Sequence, residues 1–306
     1  MGPRRSRHER HRGRYGFGWL AEHAPECIRA EYAINEGGGG PTPVLDGLAY
    51  SIATGEKGRY EVHITFRGRA THAASPWHGD NVSFKPGEVL GRLRAWQPEI
   101  DVSHPYFAAL AALLGRAEPV TPENVDALAG EVGRTNRGLG SALRGLSRMT
   151  LTPTLFSGGV KSNNIPALGR LVCDARLLPW QSEDDLRSQV QALLAGIEGV
   201  TFELVLTAAA NGSPYDTPLS AAIRSVTAAA AGGRQDLRWL PALCTGFTDS
   251  RLVRPLGGVV YGFDPGHPDA DLNHPSGVHG ANESSELQGL LFRAKVYLGV
   301  ALELLG

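Results

Sequence analysis

The alternation of apolar and polar residues is clearest in the first third of the chain, where it predicts a strand. In "GRYEVHITFRG" (58–68), apolar side chains occupy every second position from Tyr60 to Phe66. Such alternation is typical of an antiparallel strand with one buried and one solvated face. Apolar runs predict further strands at 30–35, 47–54, 150–156, 169–178, 202–209 and 257–263.

Helical spacing of apolar residues predicts the other elements. The predicted helices lie at 16–28, within 85–147, and at 182–197, 220–232 and 283–305. Because the central block is antiparallel in character, the pattern predicts an α/β body that carries an inserted α+β domain. We expect the body to comprise residues 1–56 and 211–306 and the insertion to comprise residues 57–210.

Composition narrows the class of protein. The chain of 306 residues is 42% hydrophobic and 20% charged, as expected of a soluble globular protein, and no apolar run is long enough to span a membrane. Its net charge of −1 gives no reason to expect a nucleic-acid partner for the body. Three widely spaced cysteines without a Cys-x-x-Cys pair indicate neither a disulfide framework nor a thiolate zinc site, and favour the cytoplasm.

The first residues are anomalous. The segment "MGPRRSRHERHRGR" (1–14) is rich in arginine and has no apolar residue beyond Met1, so it is not a secretory signal. Two explanations stay open: a nucleic-acid-binding arm, or an out-of-frame translation of GC-rich coding DNA.

A glycine run raises the question of chemistry. The stretch "EYAINEGGGGP" (31–41) places Glu36 before four glycines. A phosphate loop would need a lysine and a helix directly behind the glycines, whereas Pro41 and Pro43 follow here. Glu36 and His279, in "SGVHGANES", are residue types that bind zinc, although a loop acid and a capping histidine would look the same.

Five motifs then occur in a recognisable order. They are "GEKG" (55–58), "GRATHAASP" (68–76), "GGVKSNNIP" (158–166), "GFTDSR" (246–251) and "VHGANE" (278–283). This order resembles the zinc-dependent aminoacylase family, which includes acetylornithine deacetylase, succinyl-diaminopimelate desuccinylase, aminoacylase and glutamate carboxypeptidases. The resemblance implies a zinc-hydrolase-type catalytic domain with an inserted lid, or dimerisation, domain.

The resemblance also implies roles for single residues. Glu36 and His279 match zinc ligands of a site that holds two Zn²⁺ ions in the family. His72 matches the lid histidine that reaches the partner subunit's site and stabilises the oxyanion, so we expect a homodimer.

Three further residues match positions that contact the substrate. Asn163 and Arg176 match lid residues that hold a substrate carboxylate, and Thr248 matches a loop near the scissile group. The implied reaction is cleavage of an amide bond in an N-acyl amino acid or short peptide with a free carboxylate.

The family's upstream metal-binding segments have no match in this sequence. Aligning Gly13 and Gly16 with the family's glycine pair puts the general base at Glu9 and replaces a zinc-ligating glutamate by Arg10. We therefore expect an N-terminally truncated member whose zinc affinity and activity are impaired. The alternatives are a non-catalytic relic or frameshifted gene model that retains the dimerisation domain, and a nucleic-acid binder that uses the basic arm.

Overall fold

Two compact units make up the chain. The computed structural model describes residues 16–44, 46–271 and 282–306. Among the described residues, the body unit comprises those of 16–56, 102–121 and 212–306, and the inserted unit comprises Lys57–Asp101 and Pro122–Asn211. By contacts, the inserted unit begins at Lys57, and residues 102–121 group with the body unit; the domain bounds 57–210 remain a prediction.

The body unit is a mixed sheet with helices. Its elements are α1 (Phe17–His23), β1 (Tyr32–Asn35), β2 (Thr42–Val44), β3 (Gly47–Glu56), α3 (Pro105–Leu113), α7 (Pro218–Ala230), β11 (Leu237–Cys244), α8 (Ser250–Val253), β12 (Val259–Gly262) and α9 (Leu287–Leu305). Short 3₁₀ turns occur at Pro25–Cys27 and Arg254–Leu256. The predicted helix 16–28 is interrupted, because Pro25 cannot donate the backbone hydrogen bond that would continue α1.

The body sheet is organised around β3. Strand β11 pairs with β3 in parallel, β2 pairs with it antiparallel, and β12 joins it to β1, which runs parallel to β12. Helices α7 and α9 pack together, and their core residues include Ile223 and Phe292, which cluster with Tyr50 and Tyr261 of the sheet. Helix α3 packs against β11, which explains why residues 102–121 lie in this unit.

The inserted unit contains the predicted antiparallel block. Its elements are β4 (Gly58–Arg67), β5 (Thr71–His72), α2 (Phe84–Ala95), α4 (Val125–Thr135), α5 (Arg137–Leu146), β6 (Thr150–Gly158), β7 (Asn164–Ile165), β8 (Leu168–Leu177), α6 (Glu183–Leu194) and β9 (Val200–Ala208). A 3₁₀ turn occurs at Pro76–His78, and the two-residue strand β10 (Asn211–Gly212) lies where the chain returns to the body unit.

The four-stranded sheet of the inserted unit has the order β6-β8-β4-β9, and all its pairs are antiparallel. Along β4 every second residue is buried, and these side chains form one core with residues of α2 and α6. Ser182 caps α6 through a capping box with Asp185. The fold class predicted from the sequence, an α/β body with an inserted α+β domain, is therefore confirmed.

Helix α9 differs from the other long helices in its outer surface. It buries Phe292, Val296 and Val300, whereas six leucines of the same helix are exposed, with Leu298 at 62% and Leu305 at 87%. A surface helix is normally polar on its outer face, so α9 leaves an unusual apolar stripe. In the part of the chain that the structure describes, no helix has both the length and the hydropathy needed to cross a membrane.

Candidate functional site

Glu36 lies immediately after β1, at the beginning of the glycine loop. Its side chain is exposed, and its backbone N–H donates to Oδ1 of Asn35 at 2.8 Å. It stands at one end of a groove of about 820 Å³ that follows β1 from Ala30 to Glu36 and is bounded on the other side by residues of α9 such as Val300 and Leu304. The predicted position of Glu36, an acid presented at a strand end, agrees with this placement.

Two glycines of this loop, Gly38 and Gly39, are required by close backbone packing. Gly37, Gly38 and Gly39 all have positive φ angles. A Cβ on Gly38 would lie 2.7 Å from the carbonyl oxygen of Ser51, and the N–H of Gly39 donates to the same oxygen at 2.7 Å. At Gly38 and Gly39 the loop therefore lies so close to other backbone, that of β3 and of Asp264, that a side chain does not fit.

A hydrogen-bonded network joins the end of β1 to the loop after β11. Nδ2 of Asn35 donates to Oγ1 of Thr248 and to Oγ of Ser250, both at 3.1 Å. The Thr248 N–H donates to Oε1 of Glu56 at 3.1 Å, and the Thr248 hydroxyl donates to the same oxygen. The structure thus brings Thr248, predicted to lie near the scissile group, next to the residue that precedes Glu36.

Glu56 and Arg254 form a buried ion pair beneath this network. Their side chains are almost fully buried, and Nη1 of Arg254 lies 3.8 Å from Oε2 of Glu56. Arg254 also donates to the carbonyl oxygen of Val260 at 2.7 Å and to Oγ of Ser213 at 3.2 Å. Burial lowers the pKa of the Arg254 guanidinium, and the neighbouring Glu56 carboxylate opposes that shift.

His72 and Asn163 meet in the inserted unit. Strand β5 pairs with β7, so that His72 lies opposite Asn164, and the N–H of Ala73 donates to the carbonyl oxygen of Asn163 at 3.0 Å. The His72 side chain is exposed, and its Nδ1 accepts from the Ala74 N–H at 3.1 Å. His72 and Asn163, which the family resemblance assigns to the oxyanion and to the substrate carboxylate, are therefore neighbours in space.

Arg176 lies elsewhere in the same unit. It sits on β8 opposite Arg59, and both guanidinium groups donate to Asp174, at 2.6 and 2.7 Å. Burial raises the pKa of Asp174, but the hydrogen bonds and charges of Arg176 and Arg59 outweigh burial. The pKa of Asp174 therefore lies below its ordinary value. Since His72 follows the other end of β4, roughly 25 Å along that strand from Arg59, the structure does not bring Arg176 beside His72.

Lys57 begins the inserted unit as a buried amine. Nζ donates to the carbonyl oxygens of Gly145 and Arg148, at 2.6 and 2.7 Å. Burial, together with the charges of Arg176 and Arg148, lowers the pKa of Lys57 to about 7. Two carbonyl acceptors match the two N–H donors of a neutral amine, so the neutral form is well accommodated.

The described residues do not by themselves form a metal site. Within the described ranges 16–44, 46–271 and 282–306, no group of three or more His, Cys, Asp or Glu side chains is arranged to hold a metal ion. Of the two predicted metal ligands, Glu36 belongs to the described residues. His279 and the predicted general base Glu9 lie outside them. A zinc ion needs three or more protein ligands, which this set does not supply.

Sequence reasoning missed Asn35, Glu56, Ser250 and Arg254 as members of one network. The sequence did hold one indication of Glu56, because it is a carboxylate at the end of a strand whose other residues are uncharged. Its hydrogen-bond partner Thr248 is 192 positions away in sequence, so no local pattern could connect the two.

Comparison with known proteins agrees with this architecture. Residues 54–199 match the sequence profile of the peptidase dimerisation domain. No curated protein sequence matches the chain.

Several solved structures have a similar fold. The M20 family metallo-carboxypeptidase Sso-CP2 from Sulfolobus solfataricus has a TM-score of 0.60 at 14% identity, with 94% of this chain and 66% of that chain covered. The aminopeptidase PepT from Bacillus cereus has a TM-score of 0.56 at 14% identity, with coverages of 94% and 61%. Human carnosine dipeptidase 1 has a TM-score of 0.52 at 14% identity, with coverages of 93% and 62%.

The chain therefore spans less than two thirds of the length of these structures. The family suspected from the five motifs is nevertheless the one that the comparisons indicate. Residues 54–199 match the peptidase dimerisation domain, and the fold of the chain is similar to that of M20 family metallopeptidases of known structure.

Proposed function

We propose that this protein is a metal-dependent hydrolase that cleaves an amide bond in an N-acyl amino acid or a short peptide with a free carboxylate. The observation that carries the proposal is the peptidase dimerisation domain at 54–199 within a chain of metallopeptidase fold. The similar structures include an aminopeptidase, a carboxypeptidase and a dipeptidase, and this favours a peptide-like substrate. At 14% identity, what these proteins share with the chain is the fold.

Five residues have proposed roles in this reaction. Glu36, at the strand end, would bind metal together with His279. His72 and Asn163, which meet between β5 and β7, would contact the reacting carbonyl and the substrate carboxylate. Thr248 would contact the substrate from its loop, held by Glu56 and Asn35.

Arg176 is the least supported of the carboxylate-binding candidates. Its Nε donates to Asp174 at 2.6 Å, so an incoming carboxylate would compete with an existing ion pair. We propose it only as a member of the set that the family resemblance implies.

We propose that Zn²⁺, two ions per site in the family, is held weakly by this chain. The described residues supply one carboxylate of the expected ligands, and a metal ion is held tightly only when several protein ligands together replace its bound water. A non-catalytic protein that keeps the dimerisation domain is accordingly the second candidate function.

The inserted unit would form the homodimer, as the name of its domain suggests. A cytoplasmic location is consistent with Cys27, Cys173 and Cys244, which are all free thiols.

The test is hydrolysis by the purified full-length chain. The protein, with Zn²⁺ or Co²⁺ added, is incubated with a panel of N-acyl amino acids and dipeptides, and release of free amine is measured. The hydrolase proposal predicts turnover that needs added metal and is lost in Glu36→Gln, while Glu26→Gln, an exposed acid outside the site, retains it. Absence of turnover on every substrate would leave the non-catalytic alternative.

A further inference from the structure

Every polar atom of Thr248 has a hydrogen-bond partner inside the body unit. Its N–H donates to Oε1 of Glu56 at 3.1 Å, and its carbonyl oxygen accepts from Nη1 of Arg251 at 2.8 Å. Its hydroxyl donates to the same carboxylate, and accepts from Nδ2 of Asn35 and from the N–H of Ser250, both at 3.1 Å. A hydroxyl group has one donor and two acceptor positions, so all three are filled.

The side chain of Asn35 is occupied in the same way. Its Nδ2 donates to Oγ1 of Thr248 and to Oγ of Ser250, and its Oδ1 accepts from the N–H of Glu36 at 2.8 Å. The amide has one satisfactory orientation, because a flip would set its two N–H donors against the N–H of Glu36. Asn35 therefore connects the backbone at Glu36 directly to the loop that carries Thr248, 213 positions away in the sequence.

A buried ion pair anchors this network. Glu56 and Arg254 are buried, and Arg254 is bonded in turn to the carbonyl oxygen of Val260 in β12. A buried ion pair is often no more stabilising than apolar side chains of the same volume, because both charges lose their water. What Glu56 supplies, and an apolar residue would not, is a fixed acceptor for both the N–H and the hydroxyl of Thr248.

We propose that Asn35 and Glu56 are positioning residues and that Thr248 is the joint through which they act. Together they hold the end of β1, which carries Glu36, and the loop 246–251 at one separation. Because the polar atoms of Thr248 are used within the network, Thr248 meets a substrate with its methyl group and not with its hydroxyl. The task of the two segments rests on the proposed hydrolase function, whereas their coupling is measured without turnover or metal.

The first experiment is amide hydrogen exchange of the full-length protein, followed by mass spectrometry of peptides that cover 35–40 and 246–251. Thr248→Val keeps the shape of the side chain and removes the hydroxyl, so exchange should rise about tenfold in both segments, as buried donors lose their acceptor. Thr248→Ser keeps the hydroxyl and should stay within about twofold of the wild type. Unchanged exchange of either segment in Thr248→Val would overturn the proposal.

A second variant separates the two connections that Asn35 makes. Asn35→Asp keeps an oxygen that accepts from the N–H of Glu36 but has no N–H to donate to Thr248 or Ser250. Exchange should therefore rise about fivefold or more in 246–251 and stay unchanged in 35–40. Asn81→Asp is the matched control, because Oδ1 of Asn81 likewise accepts a backbone N–H, that of Ser83, in the inserted unit.

The outcome of this comparison is decisive in both directions. Asn81→Asp should leave both segments at wild-type exchange. Equal exchange of 246–251 in the wild type and Asn35→Asp would show that the Asn35 amide does not hold the loop, and would contradict the proposal.

Kinetic constants distinguish positioning from a general loss of stability. Thr248→Val and Asn35→Asp should lower kcat about tenfold and change KM by less than about twofold, because they disturb the placement of groups in the site. Val190→Ala, in the core of the inserted unit, lowers stability but should leave both constants unchanged. A higher KM at unchanged kcat in Thr248→Val would show that the hydroxyl binds substrate, and would overturn the proposal.

The two proposals fail in different ways. A wild type without turnover on every substrate would refute the hydrolase function, and hydrogen exchange would then decide alone whether Thr248 joins the two segments. A wild type with turnover whose segments 35–40 and 246–251 exchange independently would keep the hydrolase function and refute the joint.

Discussion

The inserted unit and the body unit place apolar residues on their surfaces in different ways. The sheet of the inserted unit buries one face under α2 and α6 and carries ion pairs such as Arg59–Asp174 on the other. The body unit has a half-buried edge strand, β1, a groove beside it and a leucine stripe along α9. Exposed apolar side chains occur in both units: in the body unit most of them lie on one helix, α9, whereas in the inserted unit they are spread over several elements, as at Phe156 of β6 and Phe84 of α2.

Burial predicts unequal costs for truncating an apolar side chain in the core of the inserted unit and one on the exposed stripe of α9. Phe66→Ala, in the fully buried core of the inserted unit, should lower the free energy of unfolding by about 3–5 kcal/mol. Leu298→Ala, on the exposed stripe of α9, should change it by less than about 0.5 kcal/mol. Chemical denaturation followed by circular dichroism measures both, and a loss of similar size for the two variants would contradict the comparison.

A second prediction concerns the glycine loop of the body unit. Gly38→Ala should cost about 1–3 kcal/mol, because a Cβ there meets the carbonyl oxygens of Ser51 and Gly262 and φ is +69°. Gly40→Ala is the matched control, since nothing lies within 4 Å of its Cβ position. The same denaturation measurement compares them, and equal stability of the two variants would show that close packing does not require the glycines.

A third prediction uses the pH dependence of the inserted unit. The folded protein holds Lys57 with a pKa of about 7, below the ordinary 10.5, so between these values the unfolded chain binds a proton that the folded chain does not. Stability should therefore rise with pH above about 7, by up to about 1.4 kcal/mol per pH unit from this group. Below about pH 7 both states are protonated and the slope ends.

The comparison is made between the wild type and Lys57→Met. Denaturation at several pH values from 7 to 9.5 should show a smaller slope for Lys57→Met, whereas Lys161→Met, at an exposed position, should retain the wild-type slope. Identical slopes in all three proteins would show that Lys57 does not titrate in this range.

The smallest expected effect on stability belongs to the α9 stripe. Leu302→Glu should change the free energy of unfolding by less than about 0.5 kcal/mol, because Leu302 is exposed. It should nevertheless reduce association beyond the homodimer formed by the inserted unit, measured by light scattering at increasing protein concentration, because it interrupts the apolar patch. Unchanged scattering would show that the stripe is not the surface through which molecules associate.

The sequence predicted best where one local pattern decides the structure. The alternation from Tyr60 to Phe66 predicted both the strand β4 and its buried face, and the helical spacing at 182–197 predicted α6. Strand β11 was missed, because "LRWLPALC" contains Pro241 and lacks a regular alternation, and its position is fixed by pairing with β3. Local propensity is overridden there by tertiary contacts.

The candidate site was predictable only in part, for a similar reason. Single motifs identified Glu36, His72 and Thr248, but the contacts that hold Thr248 come from Glu56 and Asn35, far away along the chain. Periodicity cannot report pairs of this kind. It also could not explain the glycines, whose cause is the close approach of β3 to the loop.

The central proposal is that a unit that matches a dimerisation domain is joined to a body whose described residues provide too few ligands for tight zinc binding. Native mass spectrometry of the full-length protein in the presence of Zn²⁺ tests both parts in one spectrum. The account predicts a homodimer with fewer than one tightly bound zinc ion per chain. A protein that stays monomeric at every concentration, or that carries two zinc ions per chain, would contradict it.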